Sequence, residues 1–203
     1  SSPETDWWCT IGTWALDPAK WPGDSFRQST DFARAHGMRT LMWFEPERVT
    51  DPGALAERCG YDRRWAIERE GWANVPNNIG DPECLKWTTE RVCRVLRENL
   101  VEMYREDNNS DPAALWQYLD EREGEDRRGI TECKFVMGHY QMWDDIIACT
   151  LGHGGCGFVD SCASGGGRND LESMRRGVPL LRSDNDRTSA ALRLSMTTAF
   201  NRW

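Results

Sequence analysis

Short apolar runs, each ending on a charged or polar residue, alternate with helical patterns along the whole chain. This alternation restricts the fold more than any other feature of the sequence. Residues 39–45 (RTLMWFE), 100–107 (LVEMYRED), 155–163 (GCGFVDSCA) and 178–184 (VPLLRSD) read as buried strands. Helical patterns occupy 25–37, 81–99, 131–151, 170–177 and 188–203. The first of these carries Phe26, Phe32 and Ala33 on one side and stops at Gly37. The second opens on Asp81 as N-cap with Pro82 in the first turn, and sets Val92, Val95 and Leu96 on its apolar face. Residues 108–130 are polar and read as a long loop. Strands separated by helices predict a parallel sheet.

Two architectures meet that description, the (β/α)8 barrel and the doubly wound sheet. Both gather their chemistry at the C-terminal ends of the strands. Here those ends carry Glu45 and Glu47, Asp107, Cys162 and Asp184. Four strands are visible where a barrel needs eight, so a barrel reading makes the chain part of a larger domain.

Composition narrows the function classes. A net charge of −8 argues against a nucleic-acid surface, which needs clustered Lys and Arg. No apolar run approaches the roughly 18 residues of a membrane span, and the polar opening Ser1–Asp6 does not read as a signal peptide. Eight cysteines are scattered through helical and strand segments rather than through a short loop-rich chain, which predicts reduced thiols and favours the cytoplasm. No cysteine or histidine spacing suits zinc, and neither a metal nor a cofactor is expected. His36 and His139 fall in helices without an evident partner.

Asp107 and Asp184 stand out because paired carboxylates at one mouth are the tools of glycoside hydrolysis. The bland alternative is a pair of solvated acids or helix caps. Trp43 sits late in its strand, where it could stack on a sugar face or simply fill the core. Glu45 and Glu47 follow it, and a solvated pair is the plain expectation for them. The SCASGGGR segment at 161–168 lets a backbone approach a ligand closely. As an anion nest it leaves a phosphate-binding protein open, although it lacks both the P-loop Lys and the dinucleotide fingerprint.

Taken together, four segments resemble blocks of glycoside hydrolase family 36, the α-galactosidase family: LMWFEPERV (41–49), YREDNN (104–109), SCASGGGR (161–168) and RSDND (182–186). GTWALDPAKWP (12–22) and NNIGDPE (77–83) are softer matches. The resemblance implies a (β/α)8 barrel, of which residues 1–203 are a central part with about four βα units. It also implies a retaining hydrolase of terminal α-galactosides, with Asp107 as nucleophile and Asp184 as general acid/base. Arg105 would take the place of a sugar-contacting Lys and hold Asp107 ionised, and Asn109 would supply a polar contact. Cys162 and Gly165 would line the C2 substituent, Arg168 would orient their loop, and Trp43 would stack on the sugar. The partner implied is a small carbohydrate, with neither nucleic acid nor membrane, and a homo-oligomeric full-length protein is left open.

The sequence departs from the family pattern in the Glu106-Asp107-Asn108 context of the nucleophile. The family's acidic sugar-binding pair, last two barrel strands and flanking β-domains are expected outside these residues, and the segment alone is not expected to be active. An α-N-acetylgalactosaminidase, a galactosaminidase or a transglycosidase would use the same two carboxylates. A non-catalytic carbohydrate-binding remnant is disfavoured because both carboxylates are present.

Overall fold

Four strands, β1 (Leu41–Phe44), β4 (Met103–Glu106), β5 (Val159–Ser161) and β6 (Gly177–Val178), form one parallel sheet in the order β1-β4-β5-β6. The computed structural model describes residues 10–23, 25–72, 75–162 and 168–180. The proposed residues Asp184 and Gly165, and the helix expected at 188–203, lie outside the described residues. Sequential strands stand side by side, with helices α3 (Pro82–Glu98), α5 (Ile130–Leu151) and α6 (Leu171–Met174) in the crossovers. That arrangement is the repeating unit of a (β/α)8 barrel.

The apolar face of the sheet explains its stability. Phe44, Tyr104 and Val159 project from three neighbouring strands onto Val92 and Leu96 of α3 and onto Met142, Trp143 and Ile146 of α5. All eight are buried. Truncating one such residue, for example Leu96→Ala, removes about 2–5 kcal/mol. Gly177 lets β6 approach β5, because a Cβ there would meet the Val159 carbonyl oxygen at 2.7 Å.

Local signals set the helix boundaries. The Asp81 carboxylate accepts from the amides of Glu83 (2.9 Å) and Cys84 (3.0 Å), the cap that the sequence predicts. Helix α1 (Arg27–Ala35) also forms, but Phe32 is 60% exposed and stacks on His36 instead of entering the core. Thr30 is the buried position, because its hydroxyl reaches the Asn99 carbonyl at 2.7 Å.

The sequence reading is corrected at 108–130, which is not one polar loop. It holds α4 (Ala113–Glu123) and a single 3₁₀ turn, Glu125–Arg127. Leu115 of α4 is buried against Phe135 and Ile79 in a second apolar cluster. Asp120 then caps α5, accepting from the Gly129 amide at 2.5 Å and the Thr131 amide at 3.0 Å. Also unassigned from sequence were α2 (Pro52–Cys59) and the antiparallel pair β2 (Arg48–Val49) and β3 (Val75–Pro76). The latter two strands are only two residues long, too short to show a period.

Among the described residues, no helix is long and apolar enough to cross a membrane. The described cysteines are free thiols.

Candidate active site

The pleat of the sheet sorts its strand-end residues into two sets. Trp43, Arg105 and Asp160 lie in register across β1, β4 and β5 on one face, and Phe44, Glu106 and Ser161 on the other. The second set meets the helices and the first set faces away from them.

Asp107 belongs with the first set. It leaves the tip of β4 with its amide still bonded to the Phe44 carbonyl at 2.9 Å. Its carboxylate is half-buried. One oxygen accepts from the Trp43 indole N–H at 3.1 Å and the other from the Asn108 amide at 2.9 Å. Trp43 therefore does more than stack or fill space, because it fixes one carboxylate oxygen of the expected nucleophile.

Arg105 feels the charge of Asp107, but its ion pair is with another carboxylate. It forms a close ion pair with Asp160, which is 1% exposed. Asp160 also accepts from the Leu180 amide at 2.9 Å. A buried carboxylate demands a counter-charge, so Asp160 claims the guanidinium. Burial pulls the Arg105 guanidinium down, but the hydrogen bond and charge of Asp160 outweigh it and hold the group above its ordinary value. Asp160 was missed from sequence, although an acid inside GFVDSCA was the available signal.

The helix-facing set is a closed polar network. Glu106 is buried and accepts from Tyr104 (2.8 Å), Trp143 (2.7 Å), Asn108 (3.0 Å) and His139 (2.5 Å). Burial alone would raise its carboxyl. The His139 charge and these donors win, and the carboxyl sits below its usual range. For His139 burial pulls downward, and Glu106 outweighs it and holds the imidazolium above the ordinary value. His139 thus has a partner that the helix pattern did not show, because the contact spans two elements.

Glu45 and Glu47 are not a solvated pair. Glu45 is fully buried and ion-pairs with the equally buried Arg48 at 2.8 Å, while its Oε1 accepts the Asn109 amide at 2.7 Å. Glu47 is buried against Arg168, whose Nη1 lies 2.6 Å from Glu47 Oε2 and whose Nη2 donates to the Ser110 carbonyl at 2.6 Å. Burial raises the Glu47 carboxyl, opposed by Arg168 and then His139. Arg168, in the turn between β5 and α6, is therefore tied to residues just beyond β1 and β4. Asn109 is exposed, and Cys162 is buried with its amide on the Glu106 carbonyl at 2.8 Å. A cavity of about 350 Å³ lies behind the strand tips, lined by Glu47, Glu106, His139, Trp143 and Arg168. Asp107 does not line it, since it opens on the other face of the sheet.

The melibiase family model matches residues 4–200. An alpha-galactosidase from Escherichia coli is 24% identical over 182 residues, which is 87% of this chain and 23% of that protein. The crystal structure of the alpha-galactosidase from Lactobacillus brevis matches with a TM-score of 0.70 at 21% identity, over 94% of this chain and 25% of that one. A GH36 alpha-galactosidase variant from Geobacillus stearothermophilus in complex with raffinose matches with a TM-score of 0.65 at 17% identity, over 94% of this chain and 25% of that one. The chain thus spans 23% of the length of the curated relative it matches. The structural likeness establishes the fold, a segment of a (β/α)8 barrel.

Proposed function

Because the chain belongs to the melibiase family, we propose that the protein carrying it hydrolyses terminal α-galactosides with retention of configuration, using Asp107 as nucleophile and Asp184 as general acid/base. The observation that carries this reading is the Asp107 carboxylate. It stands at the tip of β4, half-buried, held by the Trp43 indole and the Asn108 amide, beside the Arg105–Asp160 pair.

In the first step an Asp107 oxygen attacks the anomeric carbon while Asp184 protonates the departing glycosidic oxygen. In the second, Asp184 takes a proton from water, the water oxygen attacks the same carbon, and Asp107 departs. Two inversions give net retention. The Trp43 N–H holds one Asp107 oxygen, so the carboxylate meets the sugar in one orientation. A guanidinium carries five N–H donors, so Arg105 can serve Asp160 and still reach a sugar hydroxyl. Asn109 adds a polar contact, and Cys162 and Gly165 border the C2 hydroxyl. Arg168 acts at a distance from the sugar, by tying its loop to Glu47 and Ser110. The substrate class takes support from the raffinose complex of the Geobacillus protein.

The test is Asp107→Ala in the intact protein, assayed on an aryl α-galactoside with and without azide. Turnover should fall on the order of 10⁴-fold or more, and azide should restore product as the β-galactosyl azide. Wild-type turnover in the variant would end the assignment. A parallel assay on the aryl α-N-acetylgalactosaminide reads the C2 pocket, where the hydroxyl substrate should win.

A further inference from the structure

Asp160 stands on β5, with β4 on one side and β6 on the other. Arg105 lies in register beside it on β4. The Arg105 Nη1 donates to Asp160 Oδ2 in a close ion pair, and among the described residues that is the arginine's only side-chain hydrogen bond. Asp160 Oδ1 accepts from the Leu180 amide, just beyond β6, at 2.9 Å. One buried carboxylate thus joins β4 and the end of β6 to the strand between them.

Arg105 has a second carboxylate within reach. Asp107 follows it by two positions and sits on the same face of the sheet, where it meets Trp43. Positions two apart on an extended chain are roughly 7 Å apart along the backbone, a gap that a long arginine side chain can span. A guanidinium and a carboxylate readily form two parallel N–H···O bonds. Such a clamp on Asp107 would occupy the oxygen that has to attack, since Trp43 and the Asn108 amide already take one bond each. It would also withdraw the arginine from the sugar. Burial decides the competition. Asp107 is half-buried, whereas Asp160 is 1% exposed and, among the described residues, has only the Leu180 amide besides the guanidinium. A buried carboxylate loses far more by going unpaired than an accessible one, so the cation stays with Asp160.

We propose that Asp160 is a positioning residue for the hydrolysis: it holds the Arg105 guanidinium off the Asp107 carboxylate and leaves the remaining N–H groups for a sugar hydroxyl. This rests on Asp107 being the nucleophile, as proposed above. Asp160 acts through Arg105 and touches neither the sugar nor the reacting atoms.

The experiment compares Asp160→Asn, alone and combined with Arg105→Gln, with the wild type of the intact protein on an aryl α-galactoside. The new amide keeps an acceptor for Leu180 and turns its NH2 to the guanidinium, which then moves to Asp107. In the single variant kcat should fall roughly 10- to 100-fold and KM should rise about tenfold. Removing the displaced cation as well should bring kcat above that of the single variant, while KM stays high because the sugar contact does not return. A purely structural Asp160 predicts another pattern: the single variant loses active enzyme at unchanged KM, and the second substitution recovers no kcat. That pattern, or wild-type kcat and KM in Asp160→Asn, overturns the proposal. A crystal structure of the intact protein with D-galactose needs no variant and decides even if both fail to fold. Arg105 should bond to Asp160 and to a sugar hydroxyl; a guanidinium on Asp107, or one that meets no sugar hydroxyl, overturns the proposal. Asp107→Ala separates the two readings. Wild-type turnover in it ends both, whereas the azide product together with an unaffected Asp160→Asn ends this one alone.

Discussion

Glu106 and Asp107 are neighbouring carboxylates at the end of one strand, and the pleat sends them to opposite faces. Glu106 turns to the helices and takes hydrogen bonds from Tyr104, Asn108, His139 and Trp143. Asp107 turns to the other face and, among the described residues, takes one from Trp43 and one from its neighbour's amide. A carboxylate has about four lone-pair sites. Those of Glu106 are committed, whereas Asp107 keeps capacity for an incoming group. One side chain anchors β4 to α5, and the other is the proposed nucleophile. Mutation should therefore separate them, with activity lost at Asp107 and folding lost at Glu106.

The largest expected effect is on chemistry. Asp107→Asn preserves shape and keeps an acceptor for one of the two N–H donors, but removes the proposed nucleophile, so kcat should drop on the order of 10⁴-fold, about 5 kcal/mol of barrier. The unfolding midpoint should stay close to wild type. A variant that unfolds easily would show that the half-buried carboxylate is structural after all.

Next comes Glu106→Ala. It leaves the His139 ring, the Tyr104 hydroxyl and the Trp143 N–H without their shared acceptor, in a largely buried site. Removing one partner of a buried pair costs about 3–5 kcal/mol. Denaturant unfolding should show a loss of that size. If the variant instead kept wild-type stability and lost only turnover, Glu106 rather than Asp107 would be the reactive carboxylate.

The same pair gives a pH signature. Glu106 is held below its ordinary value, so its contribution is present above the unfolded Glu value of about 4.3 and fades as pH falls through the depressed one. His139 is held above its ordinary value, so its contribution is full below about 6.5 and is lost as pH rises through the elevated one. Stability from the pair is therefore greatest between those limits. Tm measured against pH should decline on the alkaline side in the wild type and lose that decline in His139→Gln. An identical alkaline slope in both proteins would remove the ion pair from the account.

The contrast between the two faces also explains what the sequence could show. Strand positions, the Asp81 cap and the acidic residues at strand ends follow from local patterns, and those patterns are regular here. The partners do not. Glu106 meets His139 across 33 positions, Arg105 meets Asp160 across 55, and Glu47 meets Arg168 across 121. Each contact exists only after the crossovers have stacked helix on sheet, so Glu47 and His139 looked unpaired in one dimension. The 108–130 region failed for a different reason. Its apolar residues Leu115, Trp116 and Leu119 lie in a stretch dominated by charge, and α4 gains its stability from packing on Phe135 rather than from its own pattern. The position of Asp107 at a strand end was legible because it needs no distant partner to be noticed.

Trp43 provides the smallest and sharpest test, since it touches the proposed nucleophile from the adjacent strand. Trp43→Phe keeps an aromatic face but deletes the N–H that lies 3.1 Å from Asp107 Oδ2. A hydrogen bond to a charged group contributes about 1.5–3 kcal/mol. If the indole holds the carboxylate in its attacking orientation, kcat should fall roughly 10- to 100-fold, with little change in KM because the stacking surface survives. If instead the indole matters only as a sugar platform, Trp43→Phe should leave kcat alone and Trp43→Ala should raise KM. The two variants assayed side by side thus divide Trp43's contact with the nucleophile from its contact with the substrate. Positioning predicts that the phenylalanine variant, still aromatic, already carries most of the loss in kcat.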